Sequence, residues 1–194
     1  MFESRLLDAL SRVHPAVPAI IFGPAIAVLT AWSLSGVSVA TTIGLAAGGY
    51  GIWTLFEYWL HRIVFHFEPD RGFGARMHWI IHGVHHEHPN DPLRLVMPPA
   101  VSVPLGAIVF GALYVAFGAR YAPGLGAGFF AGYLAYDMLH YYVHHFTPRG
   151  RLGRMLRERH MRHHFQDDTK GFGISAPYWD EVFGTSSRAR KISH

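Results

Sequence analysis

Long runs without a charged residue divide this chain into apolar and polar parts. No Asp, Glu, Lys or Arg occurs between Arg12 and Glu57, and at about 20 residues per crossing this interval holds two membrane helices. Two further charge-free runs, 95–119 and 121–136, are separated by the segment GARYAPG around Arg120. The pattern predicts four spans in two hairpins, at about 15–66 and 95–145.

The turns and the polar segments complete this predicted organisation. We expect the first hairpin to turn in SLSGVS, between Ser33 and Ser38, and the second in GARYAPG. Residues 1–13 have apolar positions at 2, 6, 7, 10 and 13 with charges between them, which is typical of an amphipathic helix on a membrane surface. The segments 67–94 and 146–194 are then polar parts outside the membrane, and residues 1–194 form one domain.

Composition supports a membrane protein and narrows its chemistry. Hydrophobic residues make up 50% of the 194 positions and charged residues only 15%, against about 25% in soluble domains. With no cysteine, disulfides and thiolate metal sites are excluded, so any metal must bind nitrogen and oxygen ligands. The net charge of +4 is better explained by membrane orientation than by nucleic acid, which we do not expect as a partner.

The distribution of basic residues predicts the orientation. The hairpin turns carry only Arg120, whereas the other basic residues lie before the first span, from Arg62 to Arg94 or after Pro148. By the positive-inside rule, both termini and the loop from Phe67 to Met97 are cytoplasmic. All the histidine motifs then lie on one side of the membrane.

The spacing of the fifteen histidines is the main chemical signal. Residues three and four apart lie on one helix face, so H-x-x-H-H presents three imidazoles toward one point. This motif occurs twice, at 82–86 and 160–164, and His140 and His144 are also one turn apart. Ordinary hydrogen-bonded histidines explain any single one of these positions, but the repeated motifs favour a metal cluster, and ten imidazoles suffice for two ions.

Some histidines do not fit this simple scheme. His61 and His66 are five residues apart, which on an α-helix is a rotation of about 140°, so the pair requires a helix end, a local bulge or two different metals. His78 lies one turn before His82 and is a candidate to support a ligand from behind. His88 precedes Pro89 and is not an expected ligand.

The order of the motifs resembles a known family. EYWLHRIVFH, HGVHHEHPNDPLRLVMPP, YDMLHYYVHH and HMRHHF followed by GFGISAPYWDEVFGT are similar to the fatty acid hydroxylase superfamily, sterol desaturase-like integral-membrane oxygenases, over about residues 51–185. The fatty acid 2-hydroxylase branch is the most similar. The resemblance implies an all-α, four-helix membrane bundle with a cytosolic helical cap that carries a histidine-rich dimetal site.

The resemblance also implies an activity and a ligand set. The activity is O2-dependent hydroxylation of an acyl chain, free or in a sphingolipid, at the carbon next to the carbonyl. The implied metal ligands are His61, His66, His82, His85, His86, His140, His144, His160, His163 and His164. His145 also matches the motif, and Asp137 is a candidate to accept a ring N–H and orient a ligand, as carboxylates behind metal sites often do.

The chemistry sets the expected cofactors and partners. Reductive splitting of O2 requires metals that change oxidation state, so we expect two irons, while zinc fits the same nitrogens in a purified sample without supporting turnover. The chain has no HPGG-like segment of the haem domain found in eukaryotic members, and a separate electron-donor protein is therefore expected.

Several other functions remain open at this point. A desaturase, a sterol oxidase or a carotenoid hydroxylase would use similar histidines around a different cavity. A histidine-rich metal transporter would need ionisable groups near the membrane midplane, which the charge-free spans lack. A zinc hydrolase would use fewer ligands, typically three.

Other patterned residues have mainly structural interpretations. We favour an interfacial aromatic belt for the aromatic residues before His61, with an acyl tunnel as the alternative: Trp53, Phe56, Tyr58 and Trp59. Glycines 124, 128 and 132 have the spacing of closely packed membrane helices. Asp91 is expected to pair with Arg94 and fix a loop, and Trp179 and Asp180 to hold the C-terminal segment over the site.

Overall fold

The computed structural model describes residues 12–67 and 71–187 of the chain, and every regular element in those ranges is helical. Apart from its last two residues, the surface helix predicted for residues 1–13 lies outside them. The elements, with two π-helical segments that extend α2 and α3, are α1 (Val17–Gly36), α2 (Val39–Trp59, then Leu60–Phe65), α3 (Gly72–His78, then Trp79–Gly83), α4 (Val84–Glu87), α5 (Pro99–His145), α6 (Arg151–Phe165) and α7 (Tyr178–Val182). Three helices are long and apolar enough to cross a membrane: α1, α2 with its extension, and α5.

The first hairpin turns where the sequence predicts. Helix α1 ends at Gly36, and Ser38 caps α2 by accepting a hydrogen bond from the Thr41 backbone N–H at 3.2 Å. The buried hydroxyls of Ser33 and Thr42 lie 3.0 Å apart across the turn. This bond satisfies two polar groups in an apolar setting and fixes the hairpin.

The second hairpin is formed within α5, which folds back at Gly118. Gly118 has φ 68° and ψ 172°, a conformation that costs little only for glycine. The halves on either side run antiparallel, since Gly106 faces Phe130 and Phe110 faces Gly126. The prediction that all of 118–124 forms the turn is wrong: helix resumes directly after Gly118, and Pro123 lies near its start, where few backbone N–H groups have helical partners.

Glycines allow α2 and the second half of α5 to touch along their backbones. A Cβ atom at Gly49 would lie 1.9 Å from the Leu125 carbonyl oxygen, and one at Gly128 would lie 1.9 Å from the Ala46 carbonyl oxygen. At Gly132 it would meet Trp53 at 2.6 Å. The predicted close packing is confirmed.

These contacts also fix the direction of the two helices. Leu45 of α2 meets Gly124 of α5, and Trp53 meets Gly132, eight residues further along both helices, so the numbering rises the same way along both. The helices are therefore parallel, and their carboxyl ends, which carry His61 and His140, lie at one end of the bundle. Helix α6 packs there as well.

The glycine contact gives a test of the fold with a matched control. Gly49→Ala places its methyl group against a backbone carbonyl, and we expect it to destabilise the bundle by about 1–3 kcal/mol, the usual range for overpacking. In Gly51→Ala, two residues away on α2, the added methyl group meets nothing within 4 Å. Thermal unfolding in detergent should separate the two variants, and equal melting temperatures would contradict the helix contact.

Candidate metal centre

Ten histidines from four parts of the chain converge at the end of the bundle. They form two groups, in each of which the contributed ring nitrogens all lie within 4.8 Å of one another. Cluster 1 consists of His61, His66, His82, His86 and His163, and cluster 2 of His85, His140, His144, His160 and His164. The structure thus brings together the same ten residues that the sequence motifs single out.

A change of helix type brings His61 and His66 to the same point. The segment Leu60–Phe65 is a π-helix, and the His66 backbone N–H donates to the His61 carbonyl at 3.2 Å. Since a π-helix bonds residue i to i+5, residues five apart lie one above the other. Of the explanations left open by the spacing, a local bulge is therefore correct, and both rings belong to cluster 1.

Each H-x-x-H-H motif contributes to both clusters, so the prediction that its three imidazoles meet at one point is wrong. His82 and His86 enter cluster 1 while His85 enters cluster 2, and in α6 His163 enters cluster 1 while His160 and His164 enter cluster 2. The clusters are adjacent, since the ring centroids of His86 and His164 are 4.3 Å apart.

The distances between ring nitrogens fit ligands of a common ion. His160 Nε2 lies 2.8 Å from His144 Nε2 and 3.0 Å from His164 Nε2. Two nitrogens bound at right angles to an ion, each at about 2.1 Å, would be about 3.0 Å apart. Hydrogen bonds between neutral rings cannot pair every lone pair where three such nitrogens meet, whereas one cation accepts all of them.

Cluster 1 has the same geometry. His66 Nε2 lies 3.1 Å from His163 Nε2 and 3.3 Å from His61 Nε2. Several other ring nitrogens are buried and have no hydrogen-bond partner among the described residues: His82 Nε2, both nitrogens of His85, His86 Nε2 and His140 Nε2. Buried polar atoms of this kind normally have partners, so the residues present fit a pair of metal ions.

Burial keeps these imidazoles neutral, which is the form that binds metal. Desolvation, followed by repulsion from His163, lowers the pKa of His66 to about 3, and the same causes lower the pKa of His86 to about 3. Burial lowers the pKa of His82, His85 and His160 well below the usual value. All five rings therefore keep a lone pair available at physiological pH.

Backbone carbonyls fix the orientation of two rings in cluster 1. His61 Nδ1 donates to the Phe172 carbonyl at 2.7 Å, and His163 Nδ1 donates to the Lys170 carbonyl at 2.7 Å. Because a carbonyl only accepts, Nδ1 carries the hydrogen and Nε2 presents its lone pair to the cluster.

The loop that supplies the Phe172 carbonyl is held by Asp180. This buried carboxylate accepts from the backbone N–H groups of Phe172 at 2.9 Å and Gly173 at 3.0 Å. It also accepts from the Thr185 hydroxyl at 2.8 Å, and Thr185 in turn contacts the Tyr58 hydroxyl at 2.8 Å. Trp179 Nε1 donates to Thr54 at 3.2 Å. The prediction that Trp179 and Asp180 hold the C-terminal segment is confirmed.

Two further polar contacts were not predicted from the sequence. The buried Glu57 carboxylate accepts from the Ser175 backbone N–H at 2.7 Å and from the Ser175 hydroxyl. Arg157 donates to the carbonyls of Val143, His144 and Phe146 at the end of α5, which holds α6 beside the cluster 2 residues of α5. The sequence offered one signal for the contact between Glu57 and Ser175, which is that Glu57 is a single acidic residue in an otherwise apolar helix.

The remaining candidate residues lie around the clusters without joining them. His78 is half-buried and close enough to lower the pKa of His66 and His86. Asp137 lines a space beside His140, and its Oδ2 has no hydrogen-bond partner among the described residues, so this oxygen does not accept the expected ring N–H. The His145 ring packs against Tyr141 at 4.6 Å. His88 joins neither cluster, as expected.

The loop before α5 is closed by an ion pair. Arg94 Nε lies 3.0 Å from Asp91 Oδ2, and the Arg94 side chain is almost fully buried. Asp91 Oδ1 also accepts from the Leu93 backbone N–H at 3.0 Å. The structural interpretation of Asp91 and Arg94 is confirmed.

A small apolar cavity of about 20 Å³ lies between the helices of the bundle. Its lining residues are Phe22, Trp53, Phe56, Met97, Ser102, Leu105, Gly106, Phe129, Phe130 and Tyr133. Trp53 is 3% exposed and lies in this wall with Phe56, and Tyr58 is fully buried under the C-terminal segment. The favoured aromatic belt is therefore wrong for these three residues, because the bundle turns them inward, and only Trp59, 37% exposed, has an outward position.

Comparisons with known proteins agree with this geometry. A family model for fatty acid hydroxylases matches residues 46–185. A dihydroceramide fatty acyl 2-hydroxylase of Arabidopsis thaliana is 40% identical over 186 residues, covering 95% of this chain and 78% of that protein. The fatty acid 2-hydroxylase of Homo sapiens is 38% identical over 149 residues, covering 73% of this chain and 39% of that protein. The solved structure of full-length scs7p, in which only the hydroxylase domain is visible, has a TM-score of 0.91 at 32% identity and covers 97% of this chain and 72% of that one.

Metal content tests the assignment of the two clusters. We expect purified protein loaded with iron or zinc to bind about two ions per chain and His85→Ala to lose at least one of them, since cluster 2 loses a ligand. His88→Ala, at the end of the same short helix, should keep both. Elemental analysis by mass spectrometry measures the ratio, and equal metal contents in the two variants would contradict the assignment.

Proposed function

This chain belongs to the fatty acid hydroxylase family and is a membrane monooxygenase, and we propose that it adds a hydroxyl group to the carbon next to the carbonyl of a fatty acyl chain, free or in a sphingolipid. The observation that carries the proposal is the convergence of ten histidines in two groups at one end of an apolar helical bundle. Similar proteins are a dihydroceramide fatty acyl 2-hydroxylase and a fatty acid 2-hydroxylase.

We propose the ten clustered histidines as the ligands of two iron ions. The unpartnered buried nitrogens and the close Nε2 contacts support this set, and His78, Asp137 and His145 lie outside it. When bound, the irons supply the redox change and the open positions needed to activate O2. Zinc would fit the same nitrogens but cannot change its oxidation state.

The protein's own part is to orient the rings, exclude water and place the lipid. The carbonyls of Phe172 and Lys170 hold the hydrogens of two rings away from the cluster. The space beside the histidines is lined equally by apolar or aromatic side chains and by polar ones: Phe65, Leu95, Met97 and Tyr136 on one hand, His82, His85, Asp137 and His140 on the other. An acyl carbon placed there would meet residues of both clusters.

We propose a separate electron-donor protein as the partner. In hydroxylation, one oxygen atom of O2 enters the C–H bond and the other leaves as water, so the reaction consumes two electrons and two protons that the lipid does not supply.

Isotope labelling tests the reaction. Iron-loaded protein supplied with a reductant, a donor protein and ¹⁸O2 should convert acyl lipids to products that carry one ¹⁸O at the second carbon, as located by fragmentation in mass spectrometry. Labelled water should give no incorporation, and zinc-loaded protein no product. An added double bond in place of the oxygen would instead identify a desaturase, and oxidised sterol or carotenoid would identify the corresponding alternatives.

We also propose that the whole chain acts as one membrane unit, with both termini and the metal site in the cytoplasm. Val13 donates its backbone N–H to the Leu93 carbonyl at 2.7 Å, which places the start of the described chain at the histidine end. Helix α6 carries five arginines at that end, whereas the opposite turns carry only Arg120. This asymmetry fits the positive-inside rule.

The absence of cysteine permits a simple orientation test. Ser35→Cys introduces an exposed thiol at the first turn, and Gln166→Cys introduces one beyond α6. With a membrane-impermeant maleimide on intact cells, we expect labelling at 35, and labelling at 166 only after permeabilisation. The reverse pattern would overturn the orientation without affecting the proposed reaction.

A further inference from the structure

A single peptide group joins Asp180 to His61. The Gly173 backbone N–H donates to Asp180 Oδ2 at 3.0 Å. The carbonyl of the same peptide group, which belongs to Phe172, accepts from His61 Nδ1 at 2.7 Å. His61 Nε2 lies in cluster 1, 3.3 Å from His66 Nε2. A carboxylate, a peptide group and an imidazole therefore stand in series behind the first metal position.

This series lets the carboxylate act on the ring as well as hold the loop. A negative charge at the N–H of a peptide group polarises that group, so its carbonyl oxygen becomes a stronger acceptor. A stronger bond from Nδ1–H makes Nε2 of His61 a better metal ligand, as a carboxylate bound directly to a ligand histidine does.

His163 provides a comparison within the same cluster. Its Nδ1 also donates to a backbone carbonyl at 2.7 Å, that of Lys170. The N–H of that peptide group belongs to Gly171, and it donates to the Thr185 carbonyl at 2.8 Å. The two rings thus have the same kind of acceptor at the same distance, but only the acceptor of His61 is backed by a carboxylate.

The remaining contacts of Asp180 show that its side chain acts only as an acceptor. Its Oδ1 accepts from the Phe172 backbone N–H at 2.9 Å and from the Thr185 hydroxyl at 2.8 Å. Since the single hydroxyl hydrogen of Thr185 is used there, the Tyr58 hydroxyl donates to Thr185, and it accepts from the Arg62 guanidinium at 2.9 Å. Every hydrogen in this chain points toward Asp180, as an ionised carboxylate requires.

Asp180 also lines a small polar space behind cluster 2. Its other polar lining comes from Arg159, His160 and Ser187, and its volume of about 10 Å³ is close to that of one water. His160 Nε2 lies in cluster 2, 2.8 Å from His144 Nε2. His160 Nδ1 and Ser187 Oγ are buried and have no hydrogen-bond partner among the described residues. A ring N–H, a hydroxyl and a carboxylate around a space of this size are suitable partners for a bound water.

We propose that Asp180 is a positioning residue shared by both metal positions. It acts on His61 through the peptide group between Phe172 and Gly173, and on His160 through one bound water that accepts from Nδ1–H and donates to the carboxylate. The inference rests on the proposed ligand set, in which these two rings bind different ions. One side chain of α7 thus adjusts the electron donation of a ligand in each cluster.

Nuclear magnetic resonance of the unmodified, zinc-loaded chain tests both routes without turnover. In protein labelled with ¹⁵N-histidine and reconstituted in lipid, the phenylalanine or lysine carbonyl carbon that each ring N–H contacts identifies the signals of His61 and His163. The signal of His160 is identified by its loss in His160→Gln. We expect the N–H bond of His61, measured from its dipolar coupling, to be longer than that of His163. Magnetisation should pass from water to the His160 N–H much faster than to the other two.

Asp180→Asn removes the charge at nearly constant size, and its amide NH2 group cannot accept from a backbone N–H. We expect the His61 N–H bond to shorten to the length found in His163, whose own bond should not change. Zinc affinity, measured by competition with a chelator, should fall about 10–100-fold.

Two control variants separate this contact from charge and from loop rigidity. Glu181→Gln removes a charge at the next residue, which is exposed, and Ser175→Ala loosens the same loop at Glu57 without changing any charge. Both should keep the His61 bond length and the zinc affinity of the unmodified chain. Equal changes in Asp180→Asn and Ser175→Ala would reduce Asp180 to a support of the loop and overturn the proposal.

The measurements on the unmodified chain decide the proposal even where Asp180→Asn does not fold. Equal N–H bond lengths in His61 and His163, or no transfer from water to His160, would overturn it. Zinc content of the same samples separates this inference from the proposed ligand set. Protein that binds no zinc removes the ligand set, whereas protein that binds two ions without water at His160 removes only the shared role of Asp180.

Discussion

The structure depends on the burial of neutral imidazoles that face one another. In both clusters, ring nitrogens approach to about 3 Å without enough hydrogens to pair their lone pairs, an arrangement that is unfavourable unless a cation lies among them. Other contacts at this end of the molecule hold the rings in that arrangement. The π-helix after α2 turns two rings to one side, two carbonyls fix ring tautomers, and Arg157 holds α6 against α5.

The supports of cluster 1 come from a part of the chain far from most of its ligands. The Phe172 carbonyl contacts His61 across more than a hundred residues, and its position depends on Asp180 and Thr185. Glu57 binds Ser175 in the same loop, so the loop is attached both to the end of α2 and to α7. Residues 172–185 thus hold cluster 1 in position, although none of the ten histidines lies among them.

Much of the site could be predicted from spacing, because i, i+3 and i+4 positions share a helix face whatever the tertiary structure. The histidines of the two H-x-x-H-H motifs, the His140–His144 pair and the two hairpins follow from that rule and from charge-free length, whereas His61 and His66 meet only because of a π-helix. The division of the histidines between the two clusters could not be predicted from spacing, since it depends on how α4 and α6 are rotated against each other. The inward position of Trp53 also could not be predicted, because an aromatic residue near a membrane boundary can lie either on the lipid-facing surface or in the interior of the bundle. Gly118 alone, rather than the whole predicted segment, reverses α5, and only backbone angles distinguish these possibilities.

The alternation of each H-x-x-H-H motif between the clusters has a consequence for assembly. Helix α6 delivers His163 to one cluster and His160 with His164 to the other, and the segment 82–86 divides its rings in the same way. A displacement of either short segment therefore removes ring nitrogens from both clusters at once, so the two clusters can be completed only together, when both segments are in place.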